Sequence, residues 1–498
     1  MNPDAKVIRL AAVWGVFVVV AIFWLVLNAC IAPVHGQSDT IIHKGGGINW
    51  AMGLGFVNAT ADNHSMEFKP YGSYPPLYSF VFGLWSKAFG VGEYQNTYFE
   101  LIIGIIRNAL FLWLALHFLS DALTQKSALL LGFLFALTSP YHHYQDRPES
   151  FCVILLQVGI LAFALTKQAR WRYFGLGISL GLIAITSPFC AIATTVAYAV
   201  LLFADIKTLP SSGRFNALSW LFAGGILPII PALLYYVAAP TALEALIKHG
   251  TTVGGLSRSF ARLLLEGDFH GLKRKAYDIF GGGYAYLHYQ IGAVLALLIS
   301  MLALSRIKSD FSLYLRIAFV AIFLLAFSIS SSPHYFAYLL WTFALLAIYV
   351  IWKSNSNMIS DARLFVWALI FLVTLLCVPT IIRHTYARWH YRKEYQQKTA
   401  SLRRILQEND DVKYIVASPY YYHLLRPFRP TFDYSIMHKE DLDRIKASGA
   451  AVLLYEDTTL SRQSRASQSL LYKLFWKPGD ERFVKVYRIG EYLFVEAP

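Results

Sequence analysis

Charged residues are scarce in this sequence. Asp, Glu, Lys and Arg make up 15% of its 498 residues, against the roughly 25% that is typical of soluble domains. Hydrophobic residues reach 56%, aromatic residues reach 16%, and the mean hydropathy is +0.46. This composition excludes an ordinary soluble enzyme and a disordered chain.

Cysteines and nucleotide-binding motifs are also sparse. The four cysteines all lie in apolar runs (Cys30, Cys152, Cys190 and Cys377), so neither a disulfide framework nor a zinc site can be recognised from them. The sequence has no Walker loop, and its glycine runs at 45–47 and 281–283 lack the strand–loop–helix setting of a phosphate-binding loop. We therefore do not expect a cytosolic nucleotide as the substrate.

The charged residues that are present divide the chain into two parts. Residues 383–498 contain 34 of them, about 29%, whereas residues 1–382 contain 40, about 10%. This contrast predicts a polytopic α-helical membrane domain, 1–382, followed by a soluble α/β domain, 383–498. For the second domain the sequence predicts helices at 386–408 and 439–447, strands at 414–416 and 451–455, and a closing hairpin formed by 483–488 and 491–495.

Eleven apolar stretches are candidates for transmembrane helices, each of which needs about 20 mostly apolar residues. They are 9–33, 98–119, 128–140, 150–166, 173–187, 189–204, 217–237, 291–306, 315–331, 336–352 and 363–382. Lys and Arg are concentrated in alternate short loops, which places the N-terminus in the cytoplasm and the C-terminal domain outside. The exoplasmic side then receives the loops 34–97, 140–149 and 238–290, and we expect the chemistry there because loops without a function are usually short.

The first exoplasmic loop carries an acid directly after the first span. Asp39 there is a candidate general base, since partial desolvation at a membrane surface raises the pKa of a carboxylate towards neutrality. The alternative is a solvated loop residue or a helix cap. Farther along, Tyr74 precedes Pro75-Pro76-Leu77, which opens a short aromatic stretch ending at Phe89. Proline is favourable in a first helical turn, so this stretch predicts an interfacial helix that does not cross the membrane.

The second exoplasmic loop is dense in ionisable groups. Imidazole and carboxylate ligands for a divalent ion are available there, and a guanidinium can bind a phosphate with two parallel hydrogen bonds. The residues concerned are His142, His143, Asp146, Arg147 and Glu149. The alternative is interfacial packing with a helix that starts at Glu149.

Basic residues mark the remaining exoplasmic segments. Arg258 and Lys273 belong to a basic group in the loop 238–290 that can bind a lipid-linked phosphate or anionic lipids, and His334 lies at a short turn, where it is either structural or a phosphate contact. Arg107 is the clearest charge inside a span, where it either faces a cytoplasmic cavity or pairs with Glu100. The first loop also contains two glycosylation sequons, Asn58-Ala59-Thr60 and Asn63-His64-Ser65, relevant only in a eukaryotic host.

Together these motifs resemble those of the GT-C superfamily of polytopic glycosyltransferases, in particular the bacterial branch related to protein O-mannosyltransferases and lipid A aminoarabinose transferases. The resemblance rests on Asp39 after the first span, on the Tyr74–Leu77 element, on the acids of 146–149 and on the C-terminal domain. The sequence departs from the mannosyltransferases at Thr40, where they have Glu, and from the aminoarabinose transferases at Ser73-Tyr74, where they have Glu-Lys.

The resemblance implies a specific reaction. A sugar is transferred from a polyprenyl-phosphate donor, with inversion, to a lipid, glycan or protein acceptor on the exoplasmic face of a bacterial inner membrane. Asp39 is then the general base and Asp146 a second acid. Tyr74, Glu149, His142 and His143 position the acceptor or substrate, and Arg147, Arg258, Lys273 and His334 hold the donor phosphate. A divalent metal (Mg, Mn or Zn) is implied at Asp146 and Glu149. Positive charge near the phosphate leaving group stabilises the transition state.

Other readings remain open at this stage. A lipid-linked oligosaccharide polymerase or ligase shares the polytopic plan but does not require Asp39. A transporter or flippase would show internal repeats and mid-span charges, and a membrane scaffold would leave the loop acids unexplained. The net charge of +14 is accounted for by topology and by an anionic lipid-phosphate donor, so no nucleic acid partner is expected.

Overall fold

The computed structural model describes residues 3–33, 38–58, 69–119, 123–140, 147–206 and 209–252 continuously, scattered helical residues between 263 and 408, and strands between 414 and 497. Ten helices have defined bounds. They are α1 (Pro3–Cys30), α2 (Ser38–Ala51), α3 (Pro76–Phe89), α4 (Glu93–Phe118), α5 (Gln125–Leu137), α6 (Glu149–Leu165), α7 (Ala169–Ala184), α8 (Pro188–Ile206), α9 (Ser211–Ala238) and α10 (Pro240–Thr252).

Three of these helices are long and apolar enough to cross a membrane. Within the described residues they are Leu10–Cys30 of α1, all of α4 and all of α9, and they match the predicted spans 9–33, 98–119 and 217–237. Helices α5, α6 and α7 are shorter, with 13, 17 and 16 residues. The chain is thus a polytopic helical membrane protein, and the count of eleven spans stays a prediction because 291–382 is described only in part.

The first loop is largely helical. Helix α3 begins at the predicted Pro-Pro pair and ends at Phe89. The next residue, Gly90, has a φ of 88°, which suits glycine, and its amide donates the last helical hydrogen bond, to the Ser86 carbonyl at 2.8 Å. Its 14 residues are too few to cross a bilayer, and its outer face exposes Phe80, Leu84 and Phe89. Prediction and structure agree on this helix. The sequence did not predict α2 or, at the start of the loop 238–290, α10.

Most of the helices share one apolar core, and α2 and α3 pack with α4 and α6 in a second, smaller one. Helix α1 packs on α5, where the Trp24 indole donates to the Leu137 carbonyl at 3.1 Å. Helix α7 packs against α6 and, over a longer contact, against α9. At the end of α1 the Ala32 carbonyl accepts from Arg388 Nε at 2.6 Å, which attaches the linker helix (residues 381–393 and 395–397) to the point where α1 ends.

The C-terminal strands form one mixed sheet. Its strands are β1 (Tyr414–Ala417), β2 (Thr431–Asp433), β3 (Val452–Asp457), β4 (Val484–Arg488) and β5 (Val495–Ala497), in the order β2-β1-β3-β4-β5. Strand β1 pairs in parallel with β2 and β3, and β4 pairs antiparallel with β3 and β5. Strands β1, β3 and β4 lie where the sequence predicts them, β2 was not predicted, and β5 overlaps the predicted strand 491–495 only at residue 495. The helix expected at 439–447 lies outside the described residues, so an exoplasmic α/β domain stays a prediction.

Candidate functional site

Helices α2 and α3 of the first loop cross where each has a glycine. A Cβ built on Gly47 would lie 2.7 Å from the Gly83 amide nitrogen and would overlap the Ser79 carbonyl oxygen. The Gly47 amide also donates to Ser79 Oγ at 2.8 Å. The glycine run at 45–47 lacks the setting of a nucleotide-binding loop. In the structure it allows the backbones of α2 and α3 to come into contact.

A buried ion pair joins this helix pair to α4. Lys44 of α2 pairs with Glu100 of α4, and its ammonium also donates to Asn96 Oδ1 at 2.6 Å. Tyr78 of α3 donates its hydroxyl to the same Glu100 carboxylate. The side chains of the pair are 0% and 2% exposed, and Lys44 Nζ lies 4.9 Å from the centre of the Phe82 ring. One charge cluster thus contacts all three helices.

The polar residues of α4 form a stripe along an otherwise apolar helix. Their positions are spaced by about one or two helical turns, which places them on one face of the helix, and they are buried. The stripe comprises Glu93, Asn96, Thr97, Glu100, Arg107 and Asn108. The spacing of these residues in the sequence is a signal for a buried polar face, and the sequence analysis considered only Arg107 and Glu100 from it, as a possible pair.

Arg107 connects this stripe to the start of α6. Its guanidinium donates to Asn108 Oδ1 at 2.9 Å and to Ser150 Oγ at 3.0 Å, and it lies 4.8 Å from the centre of the Trp341 ring. Next to Ser150, Glu149 begins α6, where its charge suits the positive end of the helix dipole. Arg107 is therefore a buried link between two helices, and its described partners lie on α4, on α6 and at Trp341.

The two charged residues that the second loop contributes to the described structure bind each other. Arg147 Nη2 lies 3.2 Å from Glu149 Oε1, and Arg147 Nε lies 3.3 Å from each of the two Glu149 carboxylate oxygens. Both side chains are nearly buried, at 12% and 8% exposed. Sequence reasoning gave them separate roles, in phosphate binding and in metal or acceptor binding, whereas here the acid orients the guanidinium.

Asp39 lies in the first turn of α2, and its backbone is the part that the structure describes. One turn later on the same helix, His43 packs edge-on against Tyr74, with ring centres 4.3 Å apart. The Tyr74 hydroxyl lies 3.4 Å from Ser187 Oγ in the turn between α7 and α8. The geometry thus brings the turn after Asp39, Tyr74 and the start of α8 to one place.

Asn58 is the first residue of a predicted sequon, and it is buried. Its Oδ1 accepts from the Ser73 hydroxyl at 3.0 Å and from the Gly72 amide at 3.3 Å. Its Nδ2, the atom to which a glycan would be attached, is also buried. Asn58 therefore holds the segment before α3 in place, and the folded chain does not present it for glycosylation. The second sequon, at 63–65, lies outside the described residues.

The other predicted site residues cannot be placed. Outside the described residues lie His142, His143, Asp146, Arg258, Lys273 and His334. Within the described residues no three His, Cys, Asp or Glu side chains lie close enough to hold a metal ion. Because both Glu149 carboxylate oxygens face Arg147, the described donors alone do not form a metal site.

Comparisons with known proteins agree on the fold. Neither protein-family models nor curated sequences give a match. Among solved structures, apo ArnT from Cupriavidus metallidurans superposes with a TM-score of 0.55 at 13% identity, over 90% of this chain and 94% of ArnT. ArnT bound to undecaprenyl phosphate gives 0.50 at 13% identity, over 94% and 96%.

A second protein of similar architecture is the oligosaccharyltransferase of Archaeoglobus fulgidus. Its structure with a tethered acceptor peptide containing the NVT sequon gives a TM-score of 0.51 at 12% identity, over 97% of this chain and 74% of that protein. These values are reached over 90% to 97% of this chain. The protein therefore shares the fold of ArnT and of this oligosaccharyltransferase, and the resemblance expected from its sequence motifs is confirmed at the level of the fold.

Proposed function

We propose that the protein is a glycosyltransferase that moves a sugar from a polyprenyl-phosphate donor to a lipid, glycan or protein acceptor at the exoplasmic face of a bacterial inner membrane. The observation that carries the proposal is the helical first loop, which starts α2 with Asp39 soon after the end of α1 and packs α2 and α3 onto α4. The ArnT structure that holds undecaprenyl phosphate supports a lipid-phosphate donor for this fold.

In the proposed reaction Asp39 removes the proton of the acceptor hydroxyl while that oxygen attacks the anomeric carbon. The bond between the sugar and the lipid phosphate breaks on the opposite face, so the configuration inverts and the polyprenyl phosphate leaves as an anion. A general base in this position contributes about 10²- to 10⁴-fold to the rate. Arg147, held by Glu149, is the described cation assigned to the leaving phosphate.

The remaining assigned residues complete the site. Asp146 is a second acid, with His142 and His143 beside it for the acceptor, and Arg258, Lys273 and His334 are further contacts for the donor phosphate. Tyr74 positions the acceptor through its contacts with His43 and Ser187. A divalent ion at Asp146 would add positive charge near the leaving group.

The test uses the full-length protein in lipid nanodiscs and a panel of radiolabelled polyprenyl-phosphate sugars, with and without EDTA. We expect one donor to be consumed and D39N to lower kcat by about 10²- to 10⁴-fold while donor binding is retained. T40A, at the next position of the same turn, serves as the control and should remain within about twofold of wild type, since a removed hydroxyl there takes away no general base.

Two results would refute the proposal. Full activity in D39N would exclude Asp39 as the general base. It would favour the polymerase or ligase, which needs no acid after the first span. Retention of configuration, measured by NMR of the product, would require a covalent glycosyl intermediate and would exclude the single displacement.

A further inference from the structure

The Lys44 ammonium is one of the most completely buried charges in the described part of the chain. Its residue exposure is 0%, and Glu100, its partner, is 3% exposed. The ammonium donates to Glu100 and to Asn96, while Phe82, Phe99 and Tyr78 bring ring centres to within 4.9, 5.5 and 5.7 Å. Burying two charges is costly, and apolar residues of similar volume are often at least as stable.

Joining helices does not require this cluster. Helices α7 and α9 pack over a longer contact than α2 and α3, and they do so through glycine: a Cβ on Gly177 would lie 2.7 Å from the Gly225 amide nitrogen. The α2–α3 crossing at Gly47 and Gly83 has the same character. Side chains beside that crossing also pack together, in the cluster of Ile48, Tyr78 and Phe82 and in the stacked rings of Trp50 and Phe80. Apolar contacts of this kind are non-directional, whereas the ion pair has fixed partners on α4 and one register.

Lys44 lies on the same helix as Asp39, so the register of α2 also determines where Asp39 lies. An α-helix rises about 1.5 Å per residue, so Lys44 lies about 7.5 Å along the axis from Asp39. Between them, Tyr71 donates its hydroxyl to the Ile42 carbonyl, and His43 contacts Tyr74. A slip of α2 by one residue, about 1.5 Å, would carry Asp39 by the same amount.

We infer that Lys44 is a positioning residue: its buried pair with Glu100 of α4 fixes the axial position and rotation of α2, and with it the place of Asp39. The role of Asp39 as a base rests on the proposed function, whereas the placement of α2 by Lys44 does not. Lys44 touches α3 and α4 and acts on the reaction through the helix that carries both residues.

The first measurement is structural and independent of activity. Nitroxide labels are attached to D39C and to F215C, an exposed position on α9, in a background with C30S, since Cys30 is the exposed native cysteine. Electron–electron distance distributions are compared for Lys44, K44M and the control K126M, which removes an exposed lysine of α5. We expect K44M to shift the mean by about 1.5 Å or to broaden the distribution, and K126M to leave it unchanged. An unchanged distribution in K44M overturns the inference.

The second measurement separates positioning from stability. The double variant K44M/E100Q removes both charges and keeps an oxygen for the Tyr78 hydroxyl, so it should recover the thermal stability lost in K44M. We expect kcat to remain about 10- to 100-fold below wild type in both variants, with the donor KM unchanged within about twofold, because small misplacements are costly to the chemical step. Recovery of kcat together with stability would overturn the inference. A displaced label with unchanged transfer would support the placement of α2 and refute the role of Asp39.

Discussion

In the described part of the chain, two helix pairs cross where both helices have a glycine, and they differ in what lies beside the crossing. Next to Gly47 and Gly83, the α2–α3 pair has the sealed Lys44–Glu100 cluster. The α7–α9 pair has apolar surroundings at its crossing, and α9 exposes large side chains such as Phe222 at 71%. Both helix pairs thus make close backbone contact at glycine. Of the two, the α2–α3 pair, whose α2 carries the candidate base, has the buried ion pair beside its crossing.

Helix α7 also takes part in an ion pair, with Asp205 of α8, and this pair is more exposed to solvent. Arg172 Nη2 lies 2.9 Å from Asp205 Oδ1 with side chains 22% and 20% exposed, and the Tyr173 hydroxyl donates to the other carboxylate oxygen at 2.6 Å. Water reaches these groups, so their desolvation cost is smaller. The comparison teaches that exposure, more than distance, sets what an ion pair is worth when one partner is lost.

The largest expected effect comes from removing one partner of each pair. K44M leaves the Glu100 carboxylate buried beside apolar rings and should destabilise the fold by about 3 to 5 kcal/mol. R172M leaves Asp205 with water and with Tyr173, and should cost about 1 to 2 kcal/mol. Thermal unfolding in detergent checks both. Equal losses would show that burial does not distinguish the pairs.

A smaller effect is expected from a methyl group at either crossing. G47A and G177A each place a Cβ against the backbone of the facing helix, and each should cost about 1 to 3 kcal/mol. G15A on α1 is the matched control: its Cβ meets nothing within 4 Å, and alanine favours a helix over glycine by about 1 kcal/mol. If G47A alone were tolerated, α2 would be free to shift and the two crossings would differ in rigidity.

Much of this architecture could be predicted from the sequence because it depends on local signals. Hydropathy over long windows predicts α1, α4 and α9, and the Pro-Pro pair predicts the start of α3. Strands β1, β3 and β4 were recognisable from short β-branched runs, whereas β2, with three residues, was not predicted. Helix α2 was missed because its centre is Gly45-Gly46-Gly47, which has a low intrinsic helix propensity and becomes helical only through packing against α3.

The site was only partly predictable because its contacts are non-local. Position after the first span suggested Asp39, but the pairing of Lys44 with Glu100 joins residues 56 apart in the sequence, and no local pattern encodes that choice. Arg147 and Glu149 looked like two independent ligands since nothing in a sequence shows that neighbouring opposite charges face each other. The periodic polar face of α4 was available and would have indicated which charges are buried together.

The smallest expected effect concerns the linker helix, which contacts the start of α4. Tyr395 packs on Tyr94 with ring centres 5.9 Å apart, and burial, together with the Glu93 carboxylate to which it is hydrogen-bonded, raises the pKa of the Tyr395 phenol. Unfolding restores an ordinary pKa near 10. Between pH 10 and the higher folded value the folded protein binds more protons, so stability falls as the pH rises above about 10, by at most about 1.4 kcal/mol per pH unit.

Y395F removes this titration while keeping the ring contact with Tyr94, and Y386F, which changes an exposed residue on the same helix, is the control. Melting temperatures between pH 8 and 11.5 should fall less steeply above pH 10 in Y395F than in wild type, and Y386F should follow wild type, because all other tyrosines contribute equally to the three proteins. Identical slopes in all three would mean that Tyr395 is not held against Glu93, and that α2 and α4 are braced by α3 without the linker helix.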